Sequence, residues 1–240
     1  MRIGVFDSGI GGLTVLKTLI NKYPCHEYIY CGDTKNIPYG EKSIDELKQL
    51  SSNIINFLIS KNVNIIIIAC GTVSSNIYSY LKDKYSVPIY DIISPTINYI
   101  NNCNYTNIGV IGTKRTIESK VFSNTNKNIK EASCPKFVPI IESNDISKID
   151  DCLDEYLNNL KDCDLIVLGC THYPLIKNNL NKYFNDKVKL LNMADCLPKV
   201  DLVETHKNIE LYFSKLDYIT KNNIDKIIKY NYIEEIQFNK

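Results

Sequence analysis

The sequence is poor in the residues that a metal site would need. It has only three histidines, and none of its nine cysteines stands in a C-x-x-C pair. Zinc modules usually draw their ligands from such pairs or from Cys–His sets at similar spacing. We therefore predict no metal. The odd cysteine count, with no secretory signal before the first strand-like segment, predicts reduced thiols in the cytoplasm rather than disulfides.

Long apolar runs and an excess of one charge are also absent. No apolar stretch approaches the roughly 18 residues that a membrane helix needs. The 28 Lys and Arg residues nearly balance the 27 Asp and Glu residues, which leaves a net charge of +1. This balance gives no reason to expect a nucleic-acid or membrane partner. The 240 residues, 44% of them hydrophobic, are typical of a globular protein with one large domain or two small ones.

Short apolar runs alternate with helical patterns along most of the chain. This alternation predicts an α/β fold with mainly parallel strands. The clearest helix follows Ser43, which together with Glu46 predicts a capping box at its start. The predicted strands cover residues 3–6, 28–30, 65–69, 89–92, 108–111, 137–141, 165–168 and 188–191.

A weak internal repeat indicates two similar halves. The segment that begins at Ile3 resembles the one at Ile108, and the strand that ends at Cys70 resembles the one that ends at Cys170. Both similarities recur after about 100 residues, which is typical of a duplicated unit. Two pseudo-symmetric α/β domains would direct their carboxyl strand ends towards a shared interdomain cleft. The alternative is that any two buried parallel strands look alike, and the repeat alone leaves both open.

A glycine-rich turn follows the first strand, with the sequence Asp-Ser-Gly-Ile-Gly-Gly at residues 7–12. Strand-to-helix turns of this kind direct free backbone N–H groups at anions. A dinucleotide fingerprint would need a glycine where Thr14 stands, and the Gly-Lys-Ser/Thr of a Walker loop is missing. A purely structural turn is the alternative, but Asp7 at a strand end favours a ligand site.

Two cysteines share one setting. Cys70 and Cys170 each end a buried apolar run and precede a hydroxyl-rich turn and a helix. Because a helix N-terminus lowers the pKa of a thiol, we expect the thiolate to be stabilised at both positions. A single buried cysteine is usually a small core residue. Two in the same setting, with His172 beside the second, indicate catalytic thiols, and we expect the other cysteines to be bystanders.

Two further segments end in groups that suit a ligand site. The loop at residues 33–40, Asp-Thr-Lys-Asn-Ile-Pro-Tyr-Gly, follows a strand, and such loops often contact ligands. We interpret residues 135–142, Pro-Lys-Phe-Val-Pro-Ile-Ile-Glu, as a strand that delivers an acid, Glu142, at its end. Taken alone, the loop would indicate only a turn, and Glu142 would be interpreted as a solvated surface residue.

Together the four segments resemble the glutamate racemases of the aspartate/glutamate racemase superfamily. The resemblance rests on Asp-Ser-Gly-x-Gly-Gly, Pro-Tyr-Gly, Cys-x-Thr, Cys-Pro-x-Phe-Val-Pro and Gly-Cys-Thr-His-Tyr-Pro-Leu, in that order within residues 1–177. It implies two α/β domains with the active site between them, residues 1–95 with 205–240 in the first and 96–204 in the second. It also implies conversion of L-glutamate to D-glutamate for peptidoglycan, with no cofactor and often as a homodimer.

The resemblance further implies which residues form the site. The catalytic cysteines would be Cys70 and Cys170, assisted by Asp7 and His172, with Glu142 as a third acidic residue. The substrate contacts that it implies are Asp7, Ser8, Tyr39, Gly40, Gly71, Thr72, Thr171 and His172.

One departure concerns the residue after the first cysteine, which is usually Asn in this family and is Gly71 here. The change removes an amide expected to hydrogen-bond substrate. If only that donor is missing, Gly71→Asn should improve affinity about fivefold, the value of one neutral hydrogen bond. If Gly71 instead makes room for another side chain or an ordered water, the amide would clash. An aspartate or broad-specificity racemase would then be the better interpretation.

The chemistry explains why two thiols would be needed. Racemisation removes a weakly acidic α-proton from one face of the substrate and returns a proton to the other face. One cysteine must start as thiolate and the other as thiol, with Asp7 and His172 managing proton transfer. Groups at Ser8, Thr72 and Thr171 would stabilise the negative charge that develops beside the substrate carboxylate. The alternative from another class is an inactive ligand-binding relative, against which the retained thiols argue.

Overall fold

The computed structural model describes residues 1–197 and 208–238. Strands and helices alternate along most of this part of the chain, as the sequence predicts. The strands are β1 (Arg2–Asp7), β2 (Glu27–Gly32), β3 (Ile65–Ile68), β4 (Ile89–Asp91), β5 (Ile108–Gly112), β6 (Ile129–Ser133), β7 (Leu165–Leu168), β8 (Lys189–Asn192), β9 (Ile209–Phe213) and β10 (Tyr232–Glu235). The helices are α1 (Leu13–Lys22), α2 (Ile44–Ser60), α3 (Gly71–Lys84), α4 (Ile93–Asn102), α5 (Lys114–Glu118), α6 (Phe137–Glu142), α7 (Asp150–Leu157), α8 (Lys177–Tyr183) and α9 (Tyr218–Ile227).

The strands form two sheets, and the neighbouring strands within the described residues are parallel. The first sheet has the order β10-β9-β2-β1-β3-β4, and the second has the order β6-β5-β7-β8. The predicted α/β fold class with two parallel sheets is therefore confirmed. Among the helices of the described ranges, none is both long enough and apolar enough to span a membrane.

The strand register brings chemically useful residues to one edge of each sheet. In the first sheet Phe6 of β1 pairs with Ile68 of β3, so Asp7 and Cys70 leave the sheet at the same edge. In the second sheet β7 ends two residues before Cys170, at the edge where β5 also ends. Parallel strands have this property because their carboxyl ends point in one direction.

Apolar residues at helical spacing attach the helices to the sheets. Helix α1 follows the glycine-rich turn and buries Leu13, Leu16 and Leu19. Helix α2 begins with the predicted capping box, in which the Ser43 side chain accepts from the Glu46 N–H and the Glu46 carboxylate accepts from the Ser43 N–H. The reciprocal bonds satisfy two donors that a helix start would otherwise leave free.

The C-terminal segment extends the first sheet. Strand β9 pairs with β2, and β10 pairs with β9. Gly32 is level with Phe213, so Asp33 and Ser214 leave the sheet side by side. The predicted boundary between residues 204 and 205 lies outside the described residues, and the one between 95 and 96 falls within α4. The division into domains stays a prediction.

The prediction of a strand at residues 137–141 is wrong, because this segment forms helix α6. Its buried residues are Phe137, Val138, Ile141 and Glu142, which recur at helical spacing. Pro139 fits because it lies in the first turn, where N–H groups have no partner within the helix. A short apolar run suits a strand and a helix equally well. Glu142 therefore stands at a helix end, not at a strand end.

Candidate active site

The candidate site lies where the strand ends of the two sheets meet. A Cβ atom placed on Gly71, just after β3, would lie 2.5 Å from the carbonyl oxygen of Gly169, just after β7. The two backbones are therefore in direct contact at this point. Cys70 and Cys170 adjoin these glycines, and only 4% and 6% of their surfaces are exposed. Both predicted catalytic thiols lie in one buried region.

Cys70 immediately precedes helix α3 and faces acidic and hydroxyl groups. Its sulfur lies 3.8 Å from Ser8 Oγ, and Ser8 Oγ is 3.3 Å from Asp7 Oδ1. Burial, and to a lesser extent the negative charge of Asp7, raise the pKa of the Cys70 thiol to about 12. The Val73 N–H at the helix start lowers this pKa, but by less than burial raises it. The prediction that the helix start leaves Cys70 with a lowered pKa is therefore wrong.

Asp7 is completely buried and joins the two sheets. Its Oδ1 accepts from the Gly9 N–H at 3.0 Å, and its Oδ2 accepts from the Thr171 hydroxyl at 2.9 Å. Burial raises the pKa of Asp7, although the positive charge of His172 and these two hydrogen bonds oppose the rise. Because Thr171 follows β7 of the second sheet, this contact couples one thiol's environment to the other's.

Cys170 faces an imidazole ring rather than a carboxyl group. Its sulfur lies 3.7 Å from His172 Nδ1, and His172 Nε2 lies 2.6 Å from Glu142 Oε1. The Ile10 N–H also donates to Glu142 Oε1 at 2.9 Å. Burial alone would lower the pKa of His172, but its hydrogen bonds to Cys170 and Glu142 and their negative charges raise it well above the usual value. An imidazolium facing the Cys170 sulfur is therefore favoured.

The glycines of the turn at residues 7–12 allow the side chains of Asp7, Glu142 and His172 to approach the backbone closely. A Cβ on Gly9 would lie 2.1 Å from Glu142 Oε1, and one on Gly11 would lie 2.4 Å from His172 Nδ1. One on Gly12 would lie 2.4 Å from the Asp7 Cβ. The N–H groups of the turn donate to the protein's own carboxylates. The sequence therefore correctly indicates an anion-directed turn, but the anions are side chains.

The remaining predicted substrate contacts lie beside this cluster. Thr72 Oγ1 is 2.9 Å from Thr113 Oγ1, and a Cβ on Gly40 would lie 2.8 Å from the Thr113 Cβ. The Tyr39 hydroxyl donates to Asp33 Oδ2 at 2.6 Å, so its side chain supports the loop from inside the core. Gly40 and Thr72 from the first sheet thus meet Thr113, the residue after β5 of the second.

Three residues near the site, Thr113, Ser214 and Asn223, were not among the predicted site residues, and Asp33 was indicated only as the start of the loop at residues 33–40. Asp33 is buried and accepts from the Ser214 hydroxyl at 2.6 Å as well as from Tyr39. Thr113 occupies the position of Ser8 in the internal repeat, so that repeat contained a signal for it. Ser214 and Asn223 lie beyond residue 177, where the motifs are faint, and no pattern indicates them.

The arrangement brings together two thiols, two carboxyl groups and an imidazole. Such groups can remove and donate protons at neutral pH. In the part of the chain that the structure describes, no group of three or more His, Cys, Asp or Glu residues could hold a metal ion.

Comparison with known proteins identifies the family. Residues 13–198 match the family model described as Asp/Glu/Hydantoin racemase. The chain therefore belongs to the Asp/Glu/hydantoin racemase family and is an amino-acid racemase, which makes it an isomerase.

Several similar proteins carry the name glutamate racemase. The one from Fusobacterium nucleatum is 41% identical over 214 residues, which cover 85% of this chain and 78% of the relative. The one from Hydrogenobaculum sp. is 36% identical across 100% of both chains. The crystal structure of the Francisella tularensis enzyme in complex with D-glutamate matches with a TM-score of 0.84 and 29% identity, covering 99% of this chain and 98% of that one. The fold is shared across the whole described chain.

Proposed function

We propose that this racemase interconverts L- and D-glutamate, with Cys70 and Cys170 as the two acid/base groups. The observation that carries the proposal is the pair of buried thiols, which come from strand ends of different sheets. One thiol lies near a carboxyl group and the other beside an imidazole. Asp7 and Ser8 adjoin Cys70, whereas His172 adjoins Cys170. The choice of glutamate is supported by the similarity to enzymes that carry that name.

The two partners favour different protonation states before substrate enters. The pKa of Cys70 is raised to about 12, so this residue holds its proton at neutral pH. The pKa of His172 is raised well above its usual value, so a cation faces the Cys170 sulfur. The negative charge of Cys170 also raises the pKa of Cys70, which disfavours two thiolates at once. The reaction needs one thiol and one thiolate as its starting pair, and the contacts favour Cys70, near the Asp7 carboxyl group, as the thiol and Cys170, beside the His172 imidazole, as the thiolate.

This starting pair defines the proton transfers. The Cys170 thiolate removes the α-proton from one face of the substrate, and the Cys70 thiol donates its proton to the other face. The reverse reaction exchanges the roles of the two sulfurs. His172, held by Glu142, and Asp7 lie beside the sulfurs whose charges change, so they stabilise the alternative proton arrangements.

Substrate charges complete the electrostatics. The α-ammonium group would bind near Asp7, where its positive charge opposes the effect of burial and lowers the pKa of both Asp7 and Cys70. The first N–H groups of α3, those of Gly71 and Thr72, would donate to the α-carboxylate, whose negative charge grows as the α-proton leaves. Bound substrate would therefore favour ionisation of Cys70, the thiol that burial keeps neutral.

The cellular role that we propose is supply of D-glutamate for peptidoglycan in the cytoplasm. The support for this role is the resemblance of the chain to glutamate racemases, whose motifs it carries in order. No metal or organic cofactor enters the proposed chemistry, because thiol, carboxyl and imidazole groups accomplish both proton transfers.

The test combines solvent isotope incorporation with thiol substitution. In D2O, early product should carry deuterium at Cα while the remaining starting enantiomer keeps its protium, since each face has its own base. Cys70→Ala and Cys170→Ala should each abolish racemisation. Cys163→Ala is the matched control, because Cys163 is a buried thiol at the opposite end of β7 and should leave the rate unchanged. Rapid deuteration of the starting enantiomer would refute the two-base scheme.

The substrate is tested in the same experiment by comparing glutamate with aspartate. A kcat/KM for glutamate well above that for aspartate is expected. The reverse order would make the enzyme an aspartate or broad-specificity racemase and leave the two-cysteine chemistry standing. Racemisation of neither substrate, in a folded protein with free thiols, would favour the ligand-binding alternative.

A further inference from the structure

Helix α9, from the C-terminal segment, reaches the catalytic acid from the other sheet. Asn223 is buried, with 6% of its surface exposed, and its side-chain amide donates to the backbone carbonyl of Glu142 at 3.3 Å. The two residues lie 81 positions apart and belong to helices that pack on different sheets. A buried amide that makes such a long-range contact is a specific feature of the fold.

The bonded carbonyl is the last one of helix α6. The final carbonyls of a helix have no partner within it and need donors from elsewhere. The preceding carbonyls of α6 accept from the backbone of the following turn, as when Pro139 O accepts from the Ser143 N–H. The carbonyl of Glu142 instead accepts from Asn223. Asn223 therefore caps α6 at the residue whose side chain enters the site.

Asn223 is itself firmly held. Helix α9 is capped at its N-terminus by Asp217, whose side chain accepts from the Thr220 N–H at 2.9 Å. That bond, together with Lys215, lowers the pKa of Asp217 to about 2. The next residue along, Ile224, is completely buried in the core. The amide donor is thus fixed by a capped and packed helix and can position what it binds.

We propose that Asn223 is a positioning residue for the Cys170 side of the site, acting through Glu142 and His172. The inference rests on the proposed two-cysteine function and deepens it. Asn223 holds the end of α6, which fixes the Glu142 carboxylate 2.6 Å from His172 Nε2, and His172 Nδ1 faces the Cys170 sulfur at 3.7 Å. Loss of the amide donor allows Glu142 to shift and weakens the imidazolium that stabilises the Cys170 thiolate. Within the described residues, Asn223 makes no hydrogen bond to Cys70, Ser8 or Asp7.

The experiment measures how fast each thiol reacts with iodoacetamide at neutral pH, by peptide mass mapping of the full-length protein. The readout is the ratio of the Cys170 rate to the Cys70 rate, because opening of the site exposes both thiols and cancels in the ratio. Asn223→Leu, which keeps side-chain volume but removes the donor, should lower this ratio about fivefold, the factor that one neutral hydrogen bond represents. Asn223→Gln, which retains an amide, should restore part of it.

The controls separate positioning from loss of helix stability. Thr220→Val removes the hydroxyl that hydrogen-bonds the cap residue Asp217, keeps the backbone bond to it, and should leave the ratio at its wild-type value. A wild-type ratio in folded Asn223→Leu, or an equal drop in Thr220→Val, would overturn the proposal. If Asn223→Leu does not fold, Asn223→Asp provides a donor-free side chain of the same shape, and the same outcomes apply.

Racemisation kinetics give an independent readout. With α-deuterated glutamate of each handedness, Asn223→Leu should change the primary isotope effect on kcat for the enantiomer that Cys170 deprotonates, and not for the other. Equal changes for both enantiomers would contradict a role on one side. If wild-type protein fails to racemise glutamate, the proposed function fails while the alkylation ratio still tests the contact. If wild type is active and the ratio does not move, only the inference about Asn223 fails.

Discussion

Gly71 offers a sharp test of how closely the two sheets must approach. A Cβ at this position would lie 2.5 Å from Gly169 O, whereas real Cβ contacts are essentially never below 3.0 Å and are rarely below 3.4 Å. Gly71→Ala must therefore separate the two backbones by about 0.5 to 0.9 Å. The partner is a backbone oxygen that no rotamer change can remove. The displaced segments carry Cys70 and Cys170.

The expected cost falls on kcat. A misplacement of about 1 Å in an active site can reduce the rate about 100-fold, so Gly71→Ala should lose between about tenfold and 100-fold in kcat. Overpacking of this kind also costs about 1–3 kcal/mol of stability. Gly71→Asn, which adds the same Cβ and more, should lose at least as much. The structure therefore favours the clash over the gain of one hydrogen bond, for a reason that lies in the backbone.

The assay measures kcat and KM for glutamate and aspartate, with the melting temperature of each variant. Gly4→Ala is the matched control, because the nearest atoms to its Cβ are Leu58 methyl groups at 3.2 Å, which can move. An unchanged kcat in Gly71→Ala would refute the reasoning. A fivefold lower KM with intact kcat in Gly71→Asn would restore the missing-donor hypothesis.

Two further predictions concern the buried charges. Asp7→Asn should raise the melting temperature at pH 7 and abolish activity. Burial raises the pKa of Asp7 above its ordinary value of 3.8. The folded wild type therefore loses stability as the pH rises from near 3.8 through the raised pKa, because the carboxyl group must then ionise in a buried position. The gain should vanish below that window, and a gain that does not vary with pH would contradict this assignment. Glu142→Gln should move the titration of His172, followed by NMR of its imidazole, to lower pH, because the carboxylate and its hydrogen bond raise that pKa. A His172 titration that does not move would show that Glu142 is not the cause.

The sequence predicts the fold class because burial patterns along strands are local. Short apolar runs such as β1, which is buried from Ile3 to Asp7, alternate along the chain with helical segments, as a parallel α/β fold requires. Helix α6 was not predicted because its short run of apolar residues fits the period of a helix as well as that of a strand. Strand β9 was not predicted, and its pairing with β2 joins residues that lie far apart in the sequence. Periodicity carries no information about such distant partners.

Part of the candidate site, too, could be predicted from the sequence, and part of it could not. Cys70, Cys170 and Asp7 are indicated because each stands at a strand end, which a sequence reveals. The raised pKa of Cys70 is not predictable, since it depends on burial by tertiary packing and on the nearby charge of Asp7. The contact between Asn223 and Glu142 depends on how α9 packs, and no spacing in the sequence encodes it.

The hydrogen bonds that cross between the sheets govern access as well as chemistry. The Thr171 hydroxyl binds Asp7 Oδ2, and the Ile10 N–H binds Glu142 Oε1, each at 2.9 Å. Both thiols are almost completely buried, so we expect substrate to reach them, and product to leave, only when the two sheets move apart and contacts of this kind break. Opening and closing of an active site often set the turnover rate. Strengthening these bonds would therefore hold the side chains of the site more firmly but slow the release of product. The turn at residues 7–12 thus affects both the positioning of these side chains and the exchange of substrate and product.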